Sequence, residues 1–261
     1  MLVDCAYLIH LHQHSVFIVK VNIMFDNEKK DYYEYWNEHA VYKEFNNKGF
    51  NGFFKTEICF FDKIMSSVNS VLDIGCASGR LIELLHTYQA NISYTGIDIS
   101  SKFIGRAQKQ YPDYNFIYIN ALDYESNKKY DLVNSTGVCQ HEPKFLQLIN
   151  RMIDLSNRFI LFDVKFSNIR EHLINIEESY SGLGNRTYFI LLNFKQFKEF
   201  LKSNNKIKSV NIYGYETQKN EHTVIPKNIN QIISAGVLLE VGQDSNMDQS
   251  WEVEIPFDLL R

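Results

Sequence analysis

The chain has 261 residues, 45% of them hydrophobic and 14% aromatic, with a formal net charge of −4. That composition excludes a disordered chain and leaves room for one full α/β domain. The weak negative charge excludes a general pull toward nucleic acid or an anionic membrane surface, and no stretch approaches the roughly 20 apolar residues that span a bilayer.

The first 23 residues are apolar but interrupted by His10, His12, His14 and Lys20, with neither a basic leading segment nor a small-residue cleavage site, so they do not read as a signal peptide. Met24 opens a more typical beginning, and the expectation is that translation starts there or that residues 1–23 form a loosely attached extension. His10, His12 and His14 would share one strand face, a weak metal-binding pattern far from everything else that carries chemistry.

From Asp26 to about Asn47 the spacing predicts a helix with Tyr32, Trp36, Ala40 and Phe45 on one broad face. Phe53 to Met65 is a second helix, stopped by polar residues at Ser66 and Ser67. Beyond Ser70 strands and helices alternate with little delay. Strands are predicted at Ser70–Gly75, Ser93–Ser100, Asn115–Asn120, Tyr130–Thr136 and Arg158–Phe166. The helices between them carry apolar faces at Leu81, Leu84 and Leu85, at Phe103, Ile104 and Ala107, and at Phe145, Ile149 and Met152, the last with Pro143 in its first turn. This rhythm predicts βαβ units and a parallel sheet in one domain. After Phe166 a helix and a Gly-rich loop at Gly182 and Gly184 are expected over residues 167–187, then a strand at Tyr188–Phe194, a helix at Lys195–Asn205, and a hairpin-like strand pair at Lys208–Glu216 and Ser234–Gly242. Cys5, Cys59, Cys76 and Cys139 form neither a CxxC pair nor a disulfide framework and read as reduced thiols of a cytoplasmic protein.

The informative segment is Asp73-Ile74-Gly75-Cys76-Ala77-Ser78-Gly79-Arg80, in which a strand ends on an acidic residue, makes a small-residue turn and re-enters a helix. Small residues let the backbone approach a ligand, and the helix start presents N–H groups that suit a nucleotide. The dinucleotide pattern GxGxxG fails, because Arg80 stands where the third glycine must pack. The spacing D-x-G-x-A-x-G resembles instead motif I of the class I S-adenosylmethionine-dependent methyltransferases, with Ala77 in place of the second glycine.

That resemblance extends over roughly Phe53 to Gly242 and implies a Rossmann-like doubly wound sheet of seven strands, order 3-2-1-4-5-7-6, with strand seven antiparallel. It implies S-adenosylmethionine as cofactor, held at Asp73, Gly75, Cys76, Ala77 and Gly79, with Asp98 on the ribose and Ile99 on adenine. Asp123 would reach the adenine amino group, Ala121 and Leu122 would lie near the ring, and Asn134 and Ser135 would face cofactor and acceptor. On this reading residues 24–52 are a helical lid, 53–243 the catalytic domain with a substrate insertion at about 167–187, and 244–261 a tail.

Methyl transfer from a sulfonium is an in-line displacement that mainly needs alignment, and a base where the acceptor is a hydroxyl. His141 and Glu142, just past the fourth strand, are the candidates for that role; either could instead pack beside the acceptor or cap the next helix. Trp36, Tyr180 and Arg186 are the candidate acceptor contacts, and if two of the cations among Arg170, His172 and Arg186 face the cleft an anionic acceptor follows. No acidic set for magnesium surrounds the fourth strand end, so no metal is expected. Asn134-Ser135-Thr136-Gly137 does not match the (D/N/S)PP(Y/F/W) signature of amino-methylating enzymes, and Val138 precedes Cys139 where a cytosine C5 enzyme needs proline. A small-molecule or glycan acceptor is therefore expected, with no nucleic acid or membrane partner; the alternatives are a protein or nucleic-acid methyltransferase, or a non-catalytic binder that kept the fold.

Overall fold

The computed structural model describes residues 29–37, 53–89, 91–182, 185–242 and 248–256. The expected extension at 1–23, its three histidines, and Ala40, Phe45 and Gly184 lie outside them. Of the expected first helix, the described part is α1 (Lys29–Glu34), continued by a tight turn through Asn37. There follow α2 (Lys55–Ile64), β1 (Ser70–Ile74), α3 (Leu81–Tyr88), β2 (Ser93–Asp98), α4 (Ser101–Gln110), β3 (Asn115–Tyr118), β4 (Tyr130–Ser135), α5 (Phe145–Leu155) and β5 (Ser156–Phe166). The second half holds β6 (Tyr180–Ser181), β7 (Thr187–Tyr188), α6 (Phe194–Lys202), β8 (Ile207–Thr217), β9 (Thr223–Val224), β10 (Ile232–Val241) and β11 (Ser250–Glu254).

The main sheet runs β11-β8-β10-β5-β4-β1-β2-β3. β1 to β5 are mutually parallel, and β10 is antiparallel to both β5 and β8, which is the expected order with its reversed strand. The sheet has one strand more than expected: β11, placed in the tail by sequence, adds parallel to β8. Its Ile255 end fits because residue 214 is glycine; a Cβ there would lie 2.8 Å from Ile255 Cγ2.

Strand alternation builds two cores, one on each face. Leu72, Ile74, Val133, Ile160 and Phe162 point to the side covered by α5 and α6, against Leu148, Met152 and Phe197. Val71, Leu132, Phe159 and Leu161 point to the side covered by α2, α3 and α4, against Phe60, Leu84 and Ile104. Each such large apolar side chain contributes roughly 1.5–3 kcal/mol by burial. α2 lies close on β10, where a Cβ on Gly236 would meet Thr56 Cβ at 2.6 Å. That contact brings the start of α2 over the C-terminal strand ends.

Three local expectations are corrected. Residues 167–182 hold no helix, because polar side chains satisfy the backbone in turns: Asn175 Oδ1 accepts from Glu177 N, and Asn193 Nδ2 donates to the Ile169 carbonyl. The expected strand at Tyr188–Phe194 shortens to β7 plus single bridges at Leu191 and Leu192, since Asn193 caps α6 by accepting from Gln196 N at 2.9 Å. Pro143 lies outside α5, which starts at Phe145 after a tight turn at Cys139–His141.

Candidate active site

β1 delivers its chain into a turn of alternating left-handed residues, with φ of 74° at Gly75, 47° at Ala77 and 83° at Gly79. Gly75 N and Cys76 N both donate to the Ile97 carbonyl on β2, at 2.8 and 3.1 Å. Ala77 N donates to Asp98 Oδ2 at 2.9 Å, and Ser100 N to Oδ1 at 2.7 Å. The turn is thus tied to the end of β2 by three hydrogen bonds. Burial pushes the Asp98 carboxyl up to about 6, while the Ser100 and Ala77 N–H groups pull it down. Burial raises Asp73 to about 6 as well, against the Asn134 amide and the Tyr94 hydroxyl, which donate to it at 2.8 and 2.7 Å.

Beside this turn opens a cavity of about 420 Å³ at the C-terminal edge of the sheet, where open parallel sheets bind ligands. α1 closes one side. The Tyr33 hydroxyl donates to Glu142 Oε2 at 3.2 Å and accepts from Asn120 Nδ2 at 3.1 Å, while Trp36 meets the His141 ring edge-on at 5.1 Å. The Ser100 hydroxyl donates to Asn37 Oδ1 at 2.9 Å, fixing the end of the same segment. His141 Nδ1 lies 2.6 Å from the Tyr188 carbonyl. A carbonyl only accepts, so Nδ1 carries the proton and the lone pair of the neutral ring sits on Nε2. Glu142 is buried, which raises its carboxyl above the usual range, and its other oxygen accepts from Lys144 N at 2.9 Å.

The structure brings most of the expected site residues to this cavity. Asp73, Gly75, Cys76 and Ala77 line it, as do Asp98, Ile99, Ala121 and Leu122, and Asn134, Trp36, His141 and Glu142 complete the set. Gly79 shapes the turn from outside the lining. Asp123 is exposed and outside the lining, and Ser135 is buried behind it. Tyr180 and Arg186 do not face the cavity: the Arg186 guanidinium stacks on the Tyr180 ring at 4.2 Å and pairs with Glu177 at 3.3 Å. Arg170 is exposed, and His172 accepts from Asn193 N at 3.0 Å, so the three cations of this segment do not converge on the cleft.

Four cavity groups went unread in the sequence. Glu57, almost fully buried, accepts from Phe54 N and from the Thr136 hydroxyl, both at 2.6 Å. Burial raises its carboxyl, against those two donors. An acidic residue three past a helix start is an ordinary capping signal, and nothing in its spacing says that it bridges to β4. Lys165, at the end of β5, is buried, with its ammonium 2.9 Å from Asp163 Oδ2 and 2.8 Å from Ser234 Oγ; a period-two count through β5 was the one available signal. The Arg80 guanidinium carbon sits over the Phe53 ring, 4.1 Å from its centre, and its Nη1 is buried without a hydrogen bond. Gln140 also lines the cavity, with its Oε1 buried and unbonded. Among the described residues no group of three or more His, Cys, Asp or Glu could hold a metal ion, and no helix is long and apolar enough to cross a membrane.

Residues 72–157 match the model of a methyltransferase domain family. A protein of Invertebrate iridescent virus 6 named as a methyltransferase is 28% identical over 114 residues, 42% of this chain and 43% of its own length. The trans-aconitate 2-methyltransferase of Escherichia coli O157:H7 (strain EC4115 / EHEC) is 28% identical over 93 residues, 36% of this chain and 37% of its own. The chain thus spans less than half the length of these curated relatives. Among solved structures, magnesium protoporphyrin IX methyltransferase from Synechocystis PCC 6803 aligns over 85% of this chain and 100% of its own, at 17% identity and a TM-score of 0.53. The O-methyltransferase of a Brevibacillus brevis polyketide multienzyme aligns over 71% of each chain, at 13% identity and a TM-score of 0.54. The match to a methyltransferase domain thus covers the segment that holds the Gly75–Gly79 turn, and the sheet order with its reversed strand is the Rossmann-like fold shared with these solved methyltransferases.

Proposed function

We propose that the protein transfers a methyl group from S-adenosylmethionine to a small molecule or to a sugar or surface-glycan acceptor. The observation that carries this reading is a cavity of about 420 Å³ joining the Gly75–Gly79 turn to His141 under the α1 cover. The residues present fit the cofactor. Asp98 keeps acceptor capacity beyond its two backbone partners, which suits ribose hydroxyls, and the apolar Ile99, Ala121 and Leu122 beside it suit an adenine ring. Gly75, Cys76 and Ala77 would run along its thioether and amino-acid end. The substitution at Ala77 leaves the turn left-handed, as a glycine would.

The cofactor supplies, when bound, a methyl group already activated on a sulfonium. The chain must align the acceptor and keep water out. Tyr33 and Trp36 cover the cavity. His141, oriented by the Tyr188 carbonyl and the Trp36 edge, would take the proton of a hydroxyl acceptor at Nε2. Glu142 would act as a positioning group, since it holds both the α1 cover and the approach to α5.

The test is incubation with methyl-labelled S-adenosylmethionine and extract of the source cells, followed by separation of small molecules, glycans, protein and nucleic acid. Label in the small-molecule or glycan fraction is the expected result. Label confined to protein or nucleic acid would overturn the acceptor class, and failure to bind S-adenosylhomocysteine would overturn the cofactor.

A further inference from the structure

The cavity extends beyond the part that the cofactor reading uses. The cofactor residues stand at the ends of β1, β2 and β4 and in the connection after β3, yet the lining continues past β5 onto β10 and β8. There one register row crosses three strands: Lys165 of β5 pairs with Ser234 of β10, and Ser234 with Tyr215 of β8. Cross-strand partners share a face of the sheet, and all three residues line the cavity.

The row is rich in protons to give. The Lys165 ammonium has three N–H groups, of which Asp163 and Ser234 take two, at 2.9 and 2.8 Å. Ser234 Oγ accepts from Lys165 and so keeps its own proton to donate, and the Tyr215 hydroxyl is a further donor near the end of β8. The glutamates of the cavity are spent on protein donors: Glu57 on Phe54 N and Thr136, Glu142 on Tyr33 and Lys144 N. Asp163, the counter-ion of Lys165, lies outside the lining. Lys219, in the connection after β8, brings a second cation to the same cavity. The turn beyond it is tied down, since Gly182 N donates to the His222 carbonyl at 3.0 Å and the Ser181 and Thr223 hydroxyls lie 2.7 Å apart. His222 also lines the cavity, but its Nε2 lies 3.2 Å from Glu221.

We propose that the row Lys165–Ser234–Tyr215 anchors the methyl acceptor and reads a carboxylate, carried by the acceptor in addition to the group that is methylated. This rests on the methyltransferase reading above and names the acceptor's chemistry at that site. One ammonium N–H and two hydroxyls match the lone pairs of a carboxylate, and Lys219 draws an anion toward them. A single negative charge fits better than two, because Asp163 sits 2.9 Å from the ammonium and repels a second one. A cationic acceptor would meet glutamates whose oxygens are already paired. Selection of the acceptor thus falls to β5, β10 and β8 rather than to the segment 167–187, whose cations turn away from the cavity.

The experiment incubates the full chain with methyl-labelled S-adenosylmethionine and source-cell extract, and passes the labelled small-molecule and glycan fraction over an anion exchanger. The labelled product should bind at pH 7 and come off at about pH 2, where a carboxyl group is neutral. A product that is neutral at pH 7, or that stays bound at pH 2 as a phosphate or sulfate would, overturns the carboxylate. Dilution of the extract then gives a half-saturating amount for each variant. Loss of a hydrogen bond to a charged group in a buried site weakens binding by about tenfold or more. Tyr215→Phe, and Lys165→Met combined with Asp163→Asn, should each raise that amount by about tenfold and leave the Kd of S-adenosylhomocysteine within about threefold. An unchanged half-saturating amount in both would overturn the anchor, as would equal weakening of acceptor and S-adenosylhomocysteine, which assigns the row to packing. If the double variant does not fold, Tyr215→Phe and the charge of the wild-type product decide the matter. Absence of labelled product, or label confined to protein or nucleic acid, would instead overturn the reading on which the anchor stands, and the anchor with it.

Discussion

The main-chain N–H of Ala77 donates to the Asp98 carboxylate at 2.9 Å, so the one described non-glycine residue with positive φ is tied to the end of the neighbouring strand. An L-residue in the left-handed region costs about 1–2 kcal/mol, because its Cβ crowds the following carbonyl. Asp98 offsets part of that cost through its hydrogen bond. Ala77→Gly removes the crowding and keeps the bond, so a gain of about 1 kcal/mol is expected, or roughly 2–4 °C in the unfolding midpoint. Differential scanning calorimetry decides it; an unchanged or lower midpoint would show that Ala77 is not strained.

Asp98 also sets a pH dependence. Its carboxyl is raised by burial to about 6 in the folded protein, against an ordinary value near 3.9. Between those values the folded state holds a proton that the unfolded state has lost. Its contribution to stability is therefore fully present below about pH 4 and is lost as pH rises through 6. Affinity for S-adenosylhomocysteine should run the other way, strengthening up to about pH 6 as the carboxylate forms, if that carboxylate takes the ribose hydroxyls. Asp73 titrates in the same window and adds its own slope, so the informative quantity is the difference between wild type and Asp98→Asn. That difference in unfolding midpoint should move in favour of the variant from pH 4 to 6 and then level off, while the variant binds more weakly at every pH. Parallel curves would refute the shift.

How far the sequence reveals this site follows from where each signal resides. Asp73, Gly75, Ala77 and Asp98 are legible because strand ends and a small-residue turn impose fixed spacings along the chain. Asp163 and Lys165 are two residues apart on β5, yet their pairing depends on Ser234 of β10, reversed beside them. Glu57 reaches Thr136 across 79 positions because Gly236 lets α2 settle on β10. Such contacts have no period to read. The segment 167–187 failed for the opposite reason: its charges are visible in the sequence, but Arg186 closes on Glu177 and Tyr180 within the same segment instead of reaching the cavity.

His141 gives the direct test of catalysis. Its Nδ1–H is held by the Tyr188 carbonyl at 2.6 Å, and removal of a general base costs about 10²–10⁴ in rate. His141→Ala should lower kcat by that range with the identified acceptor and leave the S-adenosylhomocysteine Kd within about threefold. A kcat within threefold of wild type would remove His141 from the reaction and point to an acceptor that needs no base.

Glu57 should behave as a structural bridge with an effect on the cavity. Glu57→Ala leaves the Phe54 N–H and the Thr136 hydroxyl without their buried acceptor, a loss of about 2–3 kcal/mol for groups bonded to a carboxylate. Glu57→Gln keeps one carbonyl oxygen and should lose about half as much. Equilibrium urea unfolding separates the two variants; equal stabilities for both would mean that the charge, and not the pair of hydrogen bonds, holds α2 to β4.

Lys165 and Asp163 form a buried pair whose members must be removed together. Lys165 donates to Asp163 at 2.9 Å and to Ser234 at 2.8 Å, and Asp163 also accepts from Gly137 N at the mouth of the cavity. Lys165→Met leaves a carboxylate buried with one backbone donor and no counter-ion, an arrangement that typically costs about 3–5 kcal/mol. Adding Asp163→Asn removes the stranded charge while keeping an oxygen for Gly137 N, so the double variant should be more stable than Lys165→Met alone by about 1–3 kcal/mol, a non-additivity expected of groups in contact. If the losses instead add, the two residues act independently and the pair does not hold the end of β5. Because Lys165 lines the cavity, the double variant also isolates its second role. Recovered stability without recovered acceptor affinity would assign the ammonium to acceptor binding, whereas recovery of both would confine it to holding Asp163 under the loop at Gly137.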